Sequence, residues 1–265
     1  MPRRAGIAAV LAAVAAVATG CAANPTTTHA ADAPGSPAST LEPGAFTVFA
    51  AASLAHAFDE LGDRFERAHP EVDVVVNPGG SAALAQQVVA GAPADVLATA
   101  AEPPMEVVVR AGLADEPAVL ATNTLELAVP PGNPGGVAGL DDLARADLRI
   151  ALCDPTVPCG AAAATLLDGE GITPAPDTLE PDVTAVLTKV VLGEVDAGLV
   201  YVTDVRSAGD RVEGLDVPAA ASVVNRYPIA AVADAPHPRA AAAFVAFVTG
   251  PTGREVLAGL GFGAP

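Results

Sequence analysis

Two serines at the starts of predicted helices are the residues best suited to chemistry. Ser53 follows the apolar run 46–50, a predicted buried strand, and Ser81 follows the turn 77–80. The apolar residues after Ser53 recur at helical spacing: Leu54, Phe58, Leu61 and Phe65. A helix start offers unpaired N–H groups and the positive end of the helix dipole, and a hydroxyl adds one more donor for an anion. Serine is also a good N-cap, so these two positions alone leave anion binding and plain capping both open.

Cys159 and Tyr201 occupy comparable places further along the chain. Cys159 lies in the turn 153–160, just before an Ala-rich helix, and Tyr201 lies at the end of a buried strand. In open α/β sheets, ligands bind where loops leave the carboxyl ends of strands. Four candidate positions at such places favour a binding site over four independent caps.

The elements that must position these residues alternate between strands and helices. Short apolar or β-branched runs predict strands at 46–50, 72–76, 95–99, 124–129, 149–152, 197–202 and 227–232. Segments with helical spacing lie between them. This alternation is typical of βαβ units and predicts parallel sheets covered on both faces.

Composition limits the possible partners. The 265 residues are 51% hydrophobic but only 3% aromatic, and the formal net charge is -18. Such an acidic chain argues against nucleic acid and against an anionic membrane surface as partners. It does not exclude a small anion, because physiological salt screens surface charges beyond about 8 Å.

The N-terminus predicts export. Arg3 and Arg4 precede the uncharged apolar run 7–18, which is too short for a membrane span and suits a signal peptide over residues 1–20. The end of this segment resembles a bacterial lipobox, which predicts lipidation of Cys21 and anchoring to the outer face of the cytoplasmic membrane. Ordinary secretion is the alternative. Residues 21–44 are rich in Ala, Pro, Thr and Ser and predict a flexible tether.

Four motifs follow one another in the chain: residues 48–54 (VFAAASL), 80–87 (GSAALAQQ), 154–160 (DPTVPCG) and 198–201 (GLVY). Together and in this order they resemble the periplasmic molybdate-binding proteins of ABC importers. The resemblance implies the α/β type II periplasmic-binding-protein fold, with two lobes, each a mainly parallel sheet flanked by helices. It places the hinge strands at 122–129 and 225–232. Lobe one would comprise 45–123 plus 226–265, and lobe two 124–225.

The resemblance also implies a function and a ligand set. A monomer would capture molybdate or tungstate between the lobes and deliver it to the membrane permease of an ABC importer, with no cofactor and no enzymatic activity. Ser53 and Ser81 would each donate a hydroxyl and a backbone N–H. Cys159 and Val183 would each donate a backbone N–H, and Tyr201 its hydroxyl. A fully deprotonated oxyanion needs only donors, so this set suits it without Arg or Lys.

Cys159 departs from the family, whose members often have Ala there. Cys153 lies six residues earlier, and thiols in an exported domain tend to oxidise. We therefore expect a disulfide between Cys153 and Cys159 that holds the loop presenting the Cys159 amide. Two buried free thiols are the alternative.

Other functions remain as alternatives. Cys159 with one of the histidines His56, His69 or His237 could form a thiol hydrolase, but no general-base partner or metal spacing accompanies them. Another oxyanion, such as sulfate, thiosulfate or phosphate, or an organic anion, would suit the same fold. A structural lipoprotein without a ligand is the remaining interpretation.

Overall fold

The structure, a computed structural model, describes residues 41–265. The predicted signal peptide, Cys21 and most of the tether lie outside the described residues. Within 41–265, no helix has both the length and the apolar character needed to cross a membrane.

Strands and helices alternate along the described chain. The strands are β1 (Gly44–Ala51), β2 (Val72–Gly79), β3 (Val96–Ala98), β4 (Ala118–Asn123), β5 (Leu125–Val129), β6 (Ile150–Cys153), β7 (Thr178–Glu180), β8 (Ala197–Tyr201), β9 (Glu213–Leu215) and β10 (Asn225–Ala231). The helices are α1 (Ala55–Ala68), α2 (Ser81–Val89), α3 (Glu102–Arg110), α4 (Pro158–Gly169), α5 (Val183–Val191), α6 (Val202–Ala208), α7 (Pro238–Thr249) and α8 (Pro251–Gly259). A short 3-10 helix, Ala52–Leu54, links β1 to α1.

The first lobe is built on the sheet β2-β1-β3-β10-β4. Alternate residues of β1 enter two different cores, as the two-residue period of a strand requires. Phe46 packs with Phe58, Phe65 and Phe244 from α1 and α7. Phe49 belongs to the core formed with α2 and α3. Both faces of the sheet are therefore covered by helices.

The second lobe repeats this plan on the sheet β7-β6-β8-β5-β9, with α4, α5 and α6 against it. Its single core includes Leu127, Ile150, Val186 and Leu199, each at most 1% exposed. Its central strands β5, β6 and β8 are short and almost wholly buried, so they present continuous apolar runs rather than alternating ones, whereas the edge strands β7 and β9 are partly exposed.

The chain passes between the lobes twice. Thr124 alone separates β4 in the first sheet from β5 in the second. The chain returns through a 3-10 helix, Pro218–Ser222, into β10. Asn123 and Asn225, the last residue of β4 and the first of β10, are register partners at this crossing.

The two-lobed α/β class predicted from the sequence is confirmed, but the sheets are mixed rather than mainly parallel. In the first sheet β10 is antiparallel to β3 and β4, and in the second β5 is antiparallel to β8 and β9. The reason is topological. A strand that has just arrived from the other lobe starts at the cleft and must run away from it, whereas βαβ strands run towards it. The limits proposed for each lobe remain predictions.

Candidate functional site

A small cavity between the lobes collects all five positions predicted to bind a ligand. Its volume is about 20 Å³, and it is lined by Ala51, Ala52, Ser53, Gly79, Gly80, Ser81, Ala100, Val157, Pro158, Cys159, Pro181, Asp182, Val183 and Tyr201. Sites for drug-sized organic ligands usually measure about 300–1,000 Å³. The cavity therefore suits an ion of a few atoms. The role of the five residues as ligands remains a prediction.

Helix starts from both lobes converge on this cavity. Ser81 is the first residue of α2, Val183 the first of α5, and Tyr201 the N-cap of α6. In α4 the first residue is Pro158, which has no N–H, so the Cys159 amide is the first that this helix can offer. The first N–H groups of a helix lack intrahelical partners and lie at the positive end of its dipole. Several such ends around one cavity favour an anion there without a cationic side chain.

The hydroxyls at the cavity are held by partners behind them. Ser81 is 2% exposed, and its Oγ accepts a hydrogen bond from the Ala100 backbone N–H at 3.0 Å. The Ser53 Oγ lies 3.1 Å from the Tyr227 hydroxyl. The Tyr201 hydroxyl accepts from the Asn225 Nδ2 at 3.1 Å. Each hydroxyl therefore has a fixed neighbour on the protein side.

Burial keeps both tyrosine hydroxyls protonated. The pKa of Tyr201 and the pKa of Tyr227 are raised above the ordinary tyrosine value, chiefly because burial disfavours the phenolate. The two rings contact each other edge to face, with centroids 6.0 Å apart. Both hydroxyls therefore remain available as donors at physiological pH.

The charge at the cavity is small and local. Of the described residues that line it, none is Arg, Lys or His, and Asp182 is the one carboxylate. Asp182 caps α5, since its Oδ1 accepts the Ala185 N–H at 2.9 Å. The sequence did not predict this carboxylate among the lining residues, although an Asp just before a helix is a common cap signal.

The lobes meet closely beside the cavity. A Cβ atom placed on Gly80 of the first lobe would lie 2.7 Å from the Pro181 carbonyl oxygen of the second. No side chain fits there without moving backbone. Gly80, Pro181 and Ala100 were not predicted as site residues, because backbone proximity across a cleft leaves no local sequence pattern.

A disulfide joins Cys153, the last residue of β6, to Cys159 at the start of α4, with the two Cα atoms 5.7 Å apart. It encloses the loop that leads to the cavity. A Cβ on Gly160 would overlap the Asp154 carbonyl, so this loop is also held tightly against the helix. Because its sulfur is bonded to Cys153, Cys159 is not the free thiol that the hydrolase alternative requires.

The histidines lie elsewhere. His56 lines a wider groove of about 560 Å³ at the junction of the lobes. The His69 ring packs on Phe65, with centroids 4.5 Å apart, and the Nδ1 of His237 lies 3.2 Å from the Asp95 carboxylate. Among the described residues, no cluster of three or more His, Cys, Asp or Glu forms a candidate metal site.

One buried carboxylate lies just behind the cavity. The Asp204 Oδ2 accepts the Tyr201 backbone N–H at 2.9 Å at the start of α6. The pKa of Asp204 is raised to about 7. Burial is the main cause; the hydrogen bond from Tyr201 opposes the increase, and the charge of Asp182 adds to it. Sequence reasoning did not find this residue.

Comparison with known proteins gives consistent matches over the described region. Residues 46–263 match the family model of bacterial extracellular solute-binding proteins. The molybdate-binding protein ModA of Mycobacterium tuberculosis is 43% identical over 219 residues, which is 82% of this chain and 84% of that protein. A putative ABC transporter substrate-binding lipoprotein of Bacillus subtilis, YvgL, is 31% identical over 226 residues, covering 82% of this chain and 86% of the relative.

Solved structures show the same fold. The periplasmic molybdate-binding protein of Azotobacter vinelandii superposes with a TM-score of 0.72 at 22% identity, covering 83% of this chain and 99% of that one. The sulfate-binding protein SubI of Mycobacterium tuberculosis gives a TM-score of 0.71 at 21% identity, covering 82% and 86%. At these identities the likeness concerns the fold alone.

Proposed function

The chain belongs to the bacterial extracellular solute-binding proteins and, within them, to the molybdate-binding proteins, and from this premise we propose that it captures molybdate outside the cytoplasm for an ABC importer. The observation that carries the proposal is the cavity of about 20 Å³ between the lobes, surrounded by helix starts and hydroxyls and lined by no cationic side chain among the described residues. This arrangement suits a small oxyanion without protons. We propose no catalytic activity.

In this proposal Ser53 and Ser81 of the first lobe donate hydroxyls and backbone N–H groups. From the second lobe, Cys159 and Val183 donate backbone N–H groups and Tyr201 its hydroxyl. Support comes from their common place around one cavity and from the protein partners that already hold the three hydroxyls. Tungstate, a near-identical tetrahedral dianion, would take the same donors.

Further parts of the proposal concern the cell. Lipidation of Cys21 would tether a monomer to the outer face of the cytoplasmic membrane, near the permease that receives the ion. Intact-mass analysis of the membrane-associated protein tests the anchor. A protein released by detergent whose mass includes a lipid on Cys21 is expected, whereas a mature chain lacking Cys21 would exclude it.

Calorimetric titration with molybdate, tungstate, sulfate, thiosulfate and phosphate tests which ligand binds. We expect molybdate and tungstate to bind about equally. Sulfate should bind more weakly, because a smaller ion leaves some donors beyond good hydrogen-bond length. Phosphate keeps a proton near neutral pH, and the five residues proposed as ligands offer that proton only donors, which costs about 1–3 kcal/mol or more. Sulfate or thiosulfate, the alternative ligands, would be favoured if either bound more tightly than molybdate.

A further inference from the structure

Two asparagines at the crossing between the lobes have their side-chain amides fixed in one orientation. The Asn123 Oδ1 accepts the Thr124 backbone N–H at 3.0 Å, so the opposite end of the amide is the donor. The Asn225 Nδ2 donates to the Ala100 carbonyl oxygen at 2.9 Å, and a carbonyl can only accept. Both asparagines are buried, and neither lines the cavity.

The donor end of Asn123 determines the direction of a chain of hydroxyls. Its Nδ2 donates to the Tyr227 hydroxyl at 3.3 Å and to the Thr203 Oγ1 at 2.8 Å. The Tyr227 hydroxyl also lies 3.1 Å from the Ser53 Oγ, a contact in which either oxygen can donate, and the bond accepted from Asn123 favours Tyr227 as the donor. Ser53 then accepts on the protein side, and its hydrogen is directed to the cavity.

Asn225 acts in the same way on the other lobe. Its second N–H goes to the Tyr201 hydroxyl at 3.1 Å, and because this partner can only donate, it favours an orientation in which the Tyr201 hydrogen points to the cavity that Tyr201 lines. At Ser81 the Ala100 backbone N–H takes the place of an asparagine. All three hydroxyls predicted to bind the ligand therefore accept a hydrogen bond from behind.

We propose that Asn123 and Asn225 fix the hydroxyls of Ser53 and Tyr201 as donors and thereby exclude protonated oxyanions from the site. The proposal rests on the function proposed above and names the residues that set its selectivity. To accept a hydrogen bond from hydrogen phosphate, a hydroxyl must turn its own hydrogen away from the ligand to another acceptor. A bond accepted from behind occupies one of its two lone pairs, and the partner that gives this bond is a donor, so the hydrogen finds no acceptor on that side.

Tyr227→Phe tests the chain that starts at Asn123. The substitution removes one hydroxyl, keeps the buried ring and changes no residue that lines the cavity. Molybdate affinity measured by calorimetry should fall about three- to tenfold, the range expected for one hydrogen bond. The affinity of phosphate relative to that of molybdate, measured by competition for the site, should rise at least tenfold over the parent. The matched control is Thr122→Val. Thr122 lies on the same strand as Asn123, and the substitution removes its hydrogen bond to the Ala264 carbonyl. This variant should keep the parental ratio of molybdate affinity to phosphate affinity.

A double-mutant cycle separates this role from a general structural one. If Tyr227 acts through Ser53, then Tyr227→Phe should change molybdate affinity less than twofold in a Ser53→Ala background. Likewise, Asn225→Ala should add little to Tyr201→Phe. Thermal unfolding without ligand shows whether each variant is folded before it is titrated.

The outcomes are distinct. A Tyr227→Phe protein with parental molybdate affinity and parental resistance to phosphate overturns the proposal. So does a loss that persists in the Ser53→Ala background, or one that weakens molybdate and phosphate equally. A parent protein that does not bind molybdate contradicts the proposed function itself, and this is visible before any variant is made.

Discussion

At Ser81 one hydroxyl has two tasks, since it is placed to donate to a ligand and it accepts the Ala100 N–H. Ser53 is in a similar position with Tyr227 behind it. Ser53→Ala and Ser81→Ala should each remove one hydrogen bond to a charged ligand, which is worth about 1.5–3 kcal/mol. Calorimetry should then show a loss of roughly ten- to a hundredfold in molybdate affinity.

The same variants should lose stability without ligand, which the sequence did not predict. Ser81→Ala leaves a buried N–H without its acceptor, at a cost of about 1–3 kcal/mol in the free energy of unfolding. Ser222→Ala is a suitable control, because the Ser222 hydroxyl is bonded to the Ala219 carbonyl at an exposed position away from the cavity. Parental affinity in both site variants would show that the site is wrongly assigned.

The buried carboxylate of Asp204 should make stability depend on pH. Its pKa is raised to about 7 in the fold, from a usual value near 3.8. Between these values the folded state holds a proton that the unfolded state has lost, so the free energy of unfolding falls as pH rises and levels off above about pH 7. The full effect is on the order of 4 kcal/mol.

Asp204→Asn isolates this contribution, because other titrating groups are common to both proteins. An asparagine oxygen can still accept the Tyr201 N–H. Denaturant unfolding without ligand should show that the variant gains stability relative to the parent from pH 5 to pH 8. His56, Arg206 and Arg211 line the same groove as Asp204 and remain unchanged in both. Parallel pH curves for the two proteins would contradict this assignment.

At the scale of elements, the helix starts were predictable from the sequence and the contacts between them were not. Ser53, Ser81, Cys159 and Val183 follow strand–turn–helix patterns that are local. The Tyr227 hydroxyl meets Ser53 and Asn123 from 174 and 104 residues away, so no local pattern reveals it. Three strands were also missed. β4 is separated from β5 by one residue and was not recognised as a strand of its own, and β7 and β9 have only three residues each, none of them buried.

Where α2 approaches the loop before α5, Gly80→Ala should hinder the closed arrangement. The backbone of Gly80 has a φ of -63°, which alanine adopts readily, so the lobe itself should fold as before. The added Cβ would meet the Pro181 carbonyl across the cleft. Molybdate affinity should fall at least tenfold while the unfolding temperature without ligand stays near the parent's.

Gly169→Ala is the matched control for Gly80→Ala. It lies at the end of α4, and a Cβ there meets nothing within 4 Å. Alanine is the better helix residue, so the control should be equally or slightly more stable and should bind as the parent does. If Gly80→Ala also binds as the parent does, the close approach of the lobes is not needed for binding.

The molecule as a whole combines two sheets of similar plan through two short crossings. Alternation of strands and helices was sufficient to predict two α/β lobes. It could not predict mixed sheets, since the direction of β5 and β10 depends on their entry from the other lobe. The same crossings carry Asn123 and Asn225, which bond to residues of both lobes. The residues that we propose to orient the Ser53 and Tyr201 hydroxyls therefore lie where the chain crosses between the lobes.

Closure around the ligand is the prediction that belongs to this largest scale. The proposed donors are divided between the lobes, with Ser53 and Ser81 on one and Cys159, Val183 and Tyr201 on the other. A bound dianion pairs with both sets. Without it, a closed cleft brings positive helix ends together and withholds water from their N–H groups, so the ligand should shift the population towards the closed state. Small-angle scattering should give a smaller radius of gyration with molybdate and no change with phosphate. The double variant Ser53→Ala, Ser81→Ala should keep the larger radius of gyration at the same molybdate concentration. A radius of gyration of the parent that is unchanged at saturating molybdate would exclude a hinge mechanism.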